Sequence, residues 1–138
     1  MNDKFELLDA FKSKKIVAEL QLCLVLMENK EFPWILLIPR RPGFRQMNQL
    51  ILEDRVQLME EITTCSFIME KLFPTDVLNV AAIGNKTPQL HVHIISRNQN
   101  DSLWPGTVWG MEMKKLSAEE EQARAELIKT AFASAASA

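Results

Sequence analysis

Apolar residues recur along this chain with two rhythms, one helical and one extended. Phe5, Leu8 and Phe11 fall at helical spacing and predict a short N-terminal helix that covers another part of the molecule. From Ile16 to Met27 the period becomes two. Leu20, Leu22, Leu24 and Leu26 share one face, Glu19, Gln21, Cys23, Val25 and Met27 the other, and the run predicts a strand. "ENKEFP" reads as a turn and "WILLIP" as a second buried strand closed by Pro39, so the two strands pair as a hairpin. Beyond the loop "RRPGFRQMNQL", Leu52, Val56, Met59, Ile62, Cys65, Met69 and Leu72 step by three or four and predict a long helix that Pro74 ends. "VLNVAAI" is a strand, "GNKTP" a tight connection and "QLHVHIIS" its antiparallel partner. Ser117 and Glu120 form a capping box before a last helix over about 117–133, with Glu119 and Glu121 also in its first turn, and the tail "AFASAASA" is expected to fray. No repeat or linker interrupts the pattern. The expectation is one domain over 1–138, with its core over about 16–110. Its class is α+β, an antiparallel sheet of about five strands with one long helix and short terminal helices.

Composition narrows the function classes. A chain of 138 residues with 47% hydrophobic and 25% charged side chains suits a single globular domain. Sixteen basic against eighteen acidic residues give a net charge of −2, which offers no electrostatic grip on DNA or RNA. Cys23 and Cys65 form no CxxC and read as small buried hydrophobes in a reducing cytoplasm. The start "MNDKFELLDAFKSKK" is charged and amphipathic rather than an export signal, and the run "LCLVLM" is too short to cross a bilayer. A cytoplasmic location without membrane attachment is expected.

Both histidines of the chain lie in "PQLHVHIIS", one residue apart. Residues two apart on a strand share a face, so Gln89, His91 and His93 project together while Leu90, Val92 and Ile94 face the core. The polar triplet is therefore expected to look outward, into solvent or a cleft. A solvated strand face with two incidental histidines is the plainest reading, and a buried, merely satisfied pair is less expected, because burying two adjacent imidazoles without partners is costly. A metal site needs more ligands than this strand supplies, because zinc takes three or four and no third histidine exists; a carboxylate such as Glu28 would have to assist. A phosphate-handling site needs nothing further. A neutral imidazole nitrogen attacks phosphorus well when a hydrogen bond at its other nitrogen orients the ring, and a second imidazole can donate to phosphate oxygens.

"QLHVHIIS" resembles the histidine triad (HIT) motif, His-φ-His-φ-His-φ-φ with φ apolar, with Gln89 in the first histidine's place. "CLVLMENKEFPWILLIPRR" resembles that family's first hairpin and "VAAIGNKTPQLHVH" its second, while "HVHIISRNQNDSLWPGTVWG" resembles small bacterial members with a glutamine-first triad. The likeness spans about Ile16 to Gly110. It implies a hydrolase or transferase acting on the α-phosphate of nucleoside phosphate derivatives, such as dinucleoside polyphosphates or nucleoside phosphoramidates. His91 would be the nucleophile, forming a nucleotidyl-histidine that water cleaves, and His93 would hydrogen-bond the phosphate. Gln89 would position the nucleophile or the phosphate without serving as an acid. The ribose contact falls on Glu28 or Asn29, and an amide that contacts phosphate falls near Asn85. The resemblance also implies a nucleotide or dinucleotide partner, a homodimer joined through sheet edges, and no metal or other cofactor. Gln89, Trp34 (where many members have histidine) and a shortened loop before the triad depart from the family pattern. These departures imply a changed substrate range, with a catalytically weak nucleotide-binding regulatory protein as the alternative. Trp104 and Trp109 stack on a base, pack across a dimer interface or anchor their loop, and Arg40, Arg41 and Arg45 either steer an anionic ligand or lie solvated.

Overall fold

The computed structural model describes residues 4–137. Along the chain run α1 (Asp9–Lys12), β1 (Lys15–Glu19), β2 (Cys23–Met27), β3 (Trp34–Pro39), α2 (Leu52–Leu72), β4 (Val77–Ala81), β5 (Val92–Arg97) and α3 (Ala118–Ser137). The strands form one five-stranded antiparallel sheet in the order β1-β2-β3-β5-β4. Class, strand number and the long central helix are those expected.

The sheet is covered on both faces, which is why every residue of β2 and β3 is buried. On one face Val25, Met27, Ile35, Leu37, Val92 and Ile94 pack against α2 and α3 through Ile62, Cys65, Met69 and Ile128. On the other, Leu26, Trp34, Leu36, Ile38 and Ile95 join Phe11, Phe32 and Val108. Among the described residues no long helix lies on this second face. Its cover is the N-terminal segment, through Phe5, Leu7 and Phe11, and the loop that carries Leu103, Trp109 and Met113. Cys23 and Cys65 are buried free thiols, as expected.

The run 16–27 is two strands rather than one. The chain reverses at 20–22, where the Leu20 N–H donates to the Cys23 carbonyl at 2.8 Å. Two distant side chains hold that turn. The Arg40 guanidinium donates to the carbonyls of Leu20 and Gln21, and the buried Glu61 carboxylate accepts the N–H groups of Leu22 and Cys23, both at 2.8 Å.

The buried face of α2 also differs from expectation: it is Asp54, Leu58, Glu61, Ile62, Cys65, Ile68 and Met69, while Leu52, Val56 and Met59 are exposed. The series from Leu52 to Leu72 advances about 3.3 residues per step against roughly 3.6 per helical turn, so it winds round the helix instead of following one side. The N-terminal helix is a single turn, and α3 runs on to Ser137, so the tail is helical where fraying was expected. Buried Phe132 docks that tail. The capping box is present: the Glu120 N–H donates to Ser117 Oγ at 3.1 Å, and the Ser117 N–H donates to Glu120 Oε1 at 3.0 Å.

After β5, an ion pair fastens the tryptophan-bearing loop. Arg97, only 2% exposed, donates to both carboxylate oxygens of Asp101, at 2.6 and 2.9 Å, and to Asn79 Oδ1 at 3.1 Å. That hydrogen bonding from Arg97 holds the Asp101 carboxyl below its ordinary pKa.

Candidate functional site

His93 lies on β5, opposite Leu36 of β3 and Ala81 of β4, so it projects onto the second face of the sheet. His91 immediately precedes the strand, which starts at Val92 rather than at Gln89. The two imidazoles come together with ring centroids 4.9 Å apart. Of the two expectations, solvent or a cleft, the cleft holds for His91, which lines a pocket; neither ring faces open solvent, His91 being 6% and His93 8% exposed. Aromatic rings enclose them. Phe11 meets His91 edge-on at 5.0 Å, Trp109 meets His93 at 5.4 Å, and Trp34 lies 5.6 Å from His93.

Hydrogen bonds fix both rings. The Gln89 carbonyl lies 2.7 Å from His91 Nδ1. A carbonyl only accepts, so Nδ1 carries the hydrogen and, in the neutral ring, Nε2 holds the lone pair. Trp34 Nε1–H donates to His93 Nδ1 at 3.1 Å. Here Nδ1 is the acceptor, so the neutral ring carries its hydrogen on Nε2. Burial first, and the neighbouring His91 second, push the His93 pKa down to about 4, so this ring stays neutral over the physiological range. His93 Nε2 and Trp109 Nε1 are buried and make no hydrogen bond of good geometry among the described residues, although the Ile83 main chain interacts with the His93 ring and opposes, without outweighing, the effects of burial and His91. The pair thus presents a lone pair at His91 and an N–H donor at His93.

A pocket of about 450 Å³ opens beside His91, lined among others by Arg45, Gln46, Asn48, Gly84 and Asn85. Gly84 brings the main chain close to the ring, for a methyl group there would lie 3.8 Å from His91 Cε1. Asn85 therefore stands in one pocket with His91. Glu28 and Asn29 do not: they line a second cavity of about 320 Å³, with Lys14, Lys30 and Lys115. Both have partners within the fold. The Glu28 carboxylate pairs with Lys14, and Asn29 Oδ1 accepts the Leu116 N–H at 2.9 Å. The stretch from α1 to β1 touches both regions, with Phe11 against His91 and Lys14 against Glu28.

The Gln89 carboxamide points neither at His91 nor into the pocket. Its Oε1 accepts the Leu8 N–H at 3.0 Å and its Nε2–H donates to the Glu6 carbonyl at 2.8 Å, so the side chain pins the N-terminal segment while the main chain orients His91. Trp104 lies over the Arg97 guanidinium at 6.0 Å, and Trp109 packs on Trp34 and His93, so both tie their loop to the fold. Lys14 was not singled out in the sequence, and Phe11 only as part of a covering element. The helical spacing of Phe5, Leu8 and Phe11 signalled a covering element but not what it covers. Among the described residues no group of three His, Cys, Asp or Glu side chains is placed to hold a metal ion, and no helix is long and apolar enough to cross a membrane.

The family model described as the HIT domain matches residues 10–100. Among solved structures the chain is similar to a histidine triad protein of Bradyrhizobium japonicum, at 36% identity and TM-score 0.86 over 92% of this chain and 97% of that one. A histidine triad protein of Marinobacter aquaeolei VT8 is similar at 35% identity and TM-score 0.87, over 93% and 96% of the two chains. A histidine triad (HIT) protein of Sinorhizobium meliloti 1021 is similar at 29% identity and TM-score 0.85, over 91% and 96%. No curated protein matches the chain.

Proposed function

The chain belongs to the histidine triad (HIT) family, and on that footing we propose that it is a nucleotide hydrolase or nucleotidyl transferase working through a nucleotidyl-histidine at His91. The observation that carries this reading is the 2.7 Å bond between His91 Nδ1 and the Gln89 carbonyl, which leaves the Nε2 lone pair as the nucleophile of a fixed ring. Nε2 attacks the α-phosphorus of a nucleoside phosphate derivative, a P–N bond forms, and the bond to the leaving group breaks with its electron pair. Water then attacks the phosphorus, the P–N bond breaks, and the nucleoside monophosphate departs as the excess proton passes to solvent. The His93 Nε2–H donates to a phosphate oxygen through both displacements. Because Trp34 holds Nδ1 and burial keeps the ring neutral, His93 meets the phosphate as a fixed donor rather than a floating charge.

The Asn85 amide, in the same pocket as His91, is the phosphate contact beyond the histidines. The ribose contact falls on Glu28 or Asn29, which line the second cavity and are engaged by Lys14 and by the Leu116 N–H respectively. Two subunits join through β4, the outer strand next to β5, whose Val77 and Val80 are exposed. The free buried thiols suit a reducing cytoplasm.

A second reading is a nucleotide-binding regulatory protein with weak turnover. One observation favours it: both histidines are buried, and Phe11 is seated directly on the nucleophile's ring. Release of nucleoside monophosphate from a dinucleoside polyphosphate and from a nucleoside phosphoramidate, with and without excess chelator, separates the readings. The enzyme reading expects turnover that survives chelation and disappears in a folded His91→Ala variant. Tight nucleotide binding without turnover would favour the regulatory reading, and loss on chelation restored by added metal would contradict the scheme.

A further inference from the structure

We propose that Arg45 recognises the leaving group, and that the preferred substrates are phosphate anhydrides, whose leaving group is an anion, rather than phosphoramidates, whose leaving group is an amine. This deepens the reading above and rests on it.

The loop between β3 and α2 carries three arginines, and the fold occupies two of them. Arg40 donates to the carbonyls of Leu20 and Gln21 at the β1–β2 turn. Arg41 forms a two-pronged ion pair with Asp54, at 2.7 and 3.0 Å. Arg45 is exposed, and its guanidinium meets only main-chain carbonyls, those of Gly84 at 3.1 Å and Asn85 at 3.4 Å, both through Nη2. Those bonds tie it to the segment that passes beside the His91 ring. Among the described residues its Nε and Nη1 have no partner and no carboxylate pairs with it.

The pocket's composition gives that charge its meaning. Apart from His91, Arg45 is the only ionisable side chain among the residues that line it; the other polar side chains are the amides of Gln46, Asn48 and Asn85. A cation and three amides favour developing negative charge, and none of them is an acid. An amine must gain a proton as its P–N bond breaks, and this lining offers no acid to give one. An anhydride oxygen needs none. As the bond between His91 Nε2 and phosphorus forms, the phosphorus–oxygen bond breaks, and the departing phosphate or polyphosphate oxygen takes the electron pair as charge, which the guanidinium meets with N–H donors.

The test compares kcat/KM for a dinucleoside polyphosphate and for a nucleoside phosphoramidate of a neutral amine, in wild type, Arg45→Gln and Arg45→Lys. Binding of inorganic tripolyphosphate is measured by calorimetry on the same three proteins. The anhydride-to-amidate ratio is expected to favour anhydride in wild type and to fall about tenfold in Arg45→Gln, the scale of one charge-assisted hydrogen bond, with part restored in Arg45→Lys. Equal losses on both substrates would make Arg45 a mere support for the 84–85 segment and overturn the proposal, as would an unchanged ratio. If wild type turned over neither substrate, the functional reading would fail separately. Tripolyphosphate would then decide: binding weakened in Arg45→Gln supports the anion site, and equal binding overturns it.

Discussion

Lowering the pH should destabilise this protein through His93 by an amount that one substitution removes. The imidazole is driven from its ordinary pKa of 6.5 to about 4 by burial and by His91. As the pH falls, the unfolded chain therefore takes up this proton well before the native one does. The contribution of His93 is complete above about pH 6.5, declines as the pH drops, and reaches its limit once the native ring itself protonates near 4. At about 1.4 kcal/mol per tenfold difference in proton affinity, the ceiling is about 3 kcal/mol, of which about 2 kcal/mol is lost by roughly pH 5. His93→Asn keeps a side-chain acceptor for Trp34 Nε1 but has no proton to take up. Urea unfolding of both proteins at about pH 7.5 and about pH 5 gives the result as a difference of differences, in which groups that titrate alike in the two proteins cancel. Wild type is expected to lose about 2 kcal/mol more than the variant over that interval. Equal losses would mean that the native ring protonates at an ordinary pH, and the neutral, donor-presenting state assigned to His93 would be wrong.

Removing the Gln89 side chain by Gln89→Ala deletes two hydrogen bonds to the N-terminal segment but spares the carbonyl that orients His91. At about 1 kcal/mol each, their loss should speed Leu8 amide exchange by roughly 5- to 30-fold while leaving global stability nearly unchanged; unaltered protection at Leu8 would refute the clamp. Asp101→Ala strands the guanidinium of Arg97, which is 2% exposed, and should cost about 3–5 kcal/mol in urea unfolding. A loss below about 1 kcal/mol, the scale of a surface pair, would show that Asn79 and Phe32 suffice to hold Arg97.

The features legible in the sequence are those that local chemistry fixes. The capping box at Ser117 and Glu120 needs only residues three apart, and the apolar set Leu90, Val92 and Ile94 marks the core side of the histidine strand. The rest is held by partners remote in the chain. Nothing in "AELQLCL" signals a reversal, because alternation continues through it and the turn depends on Arg40 and Glu61. The exposed apolar positions of α2 disguise its buried face, since Leu52, Val56 and Met59 fit a three-or-four step as well as Ile62 and Cys65 do. Gln89, His91 and His93 were visible as a group. What closes over them comes from remote parts of the chain, Phe11 on His91 and Trp34 and Trp109 on His93, so neither the burial of the histidines nor the attachment of the Gln89 carboxamide to Glu6 and Leu8 could be read from alternation. Glu28 and Asn29 were chosen for position in a hairpin, and their engagement by Lys14 and Leu116 likewise depends on tertiary folding.

Whether His91 Nε2 forms a bond to phosphorus is decided by rapid acid-free quenching followed by intact-protein and peptide mass spectrometry. Wild type mixed with a dinucleoside polyphosphate should carry, within a turnover, the added mass of one nucleoside monophosphate less water. The adduct should map to the peptide containing His91, disappear on treatment with acid as phosphorus–nitrogen bonds do, and be absent from His91→Ala. Product formed at full rate with no adduct, or an adduct on any other residue, would contradict the account.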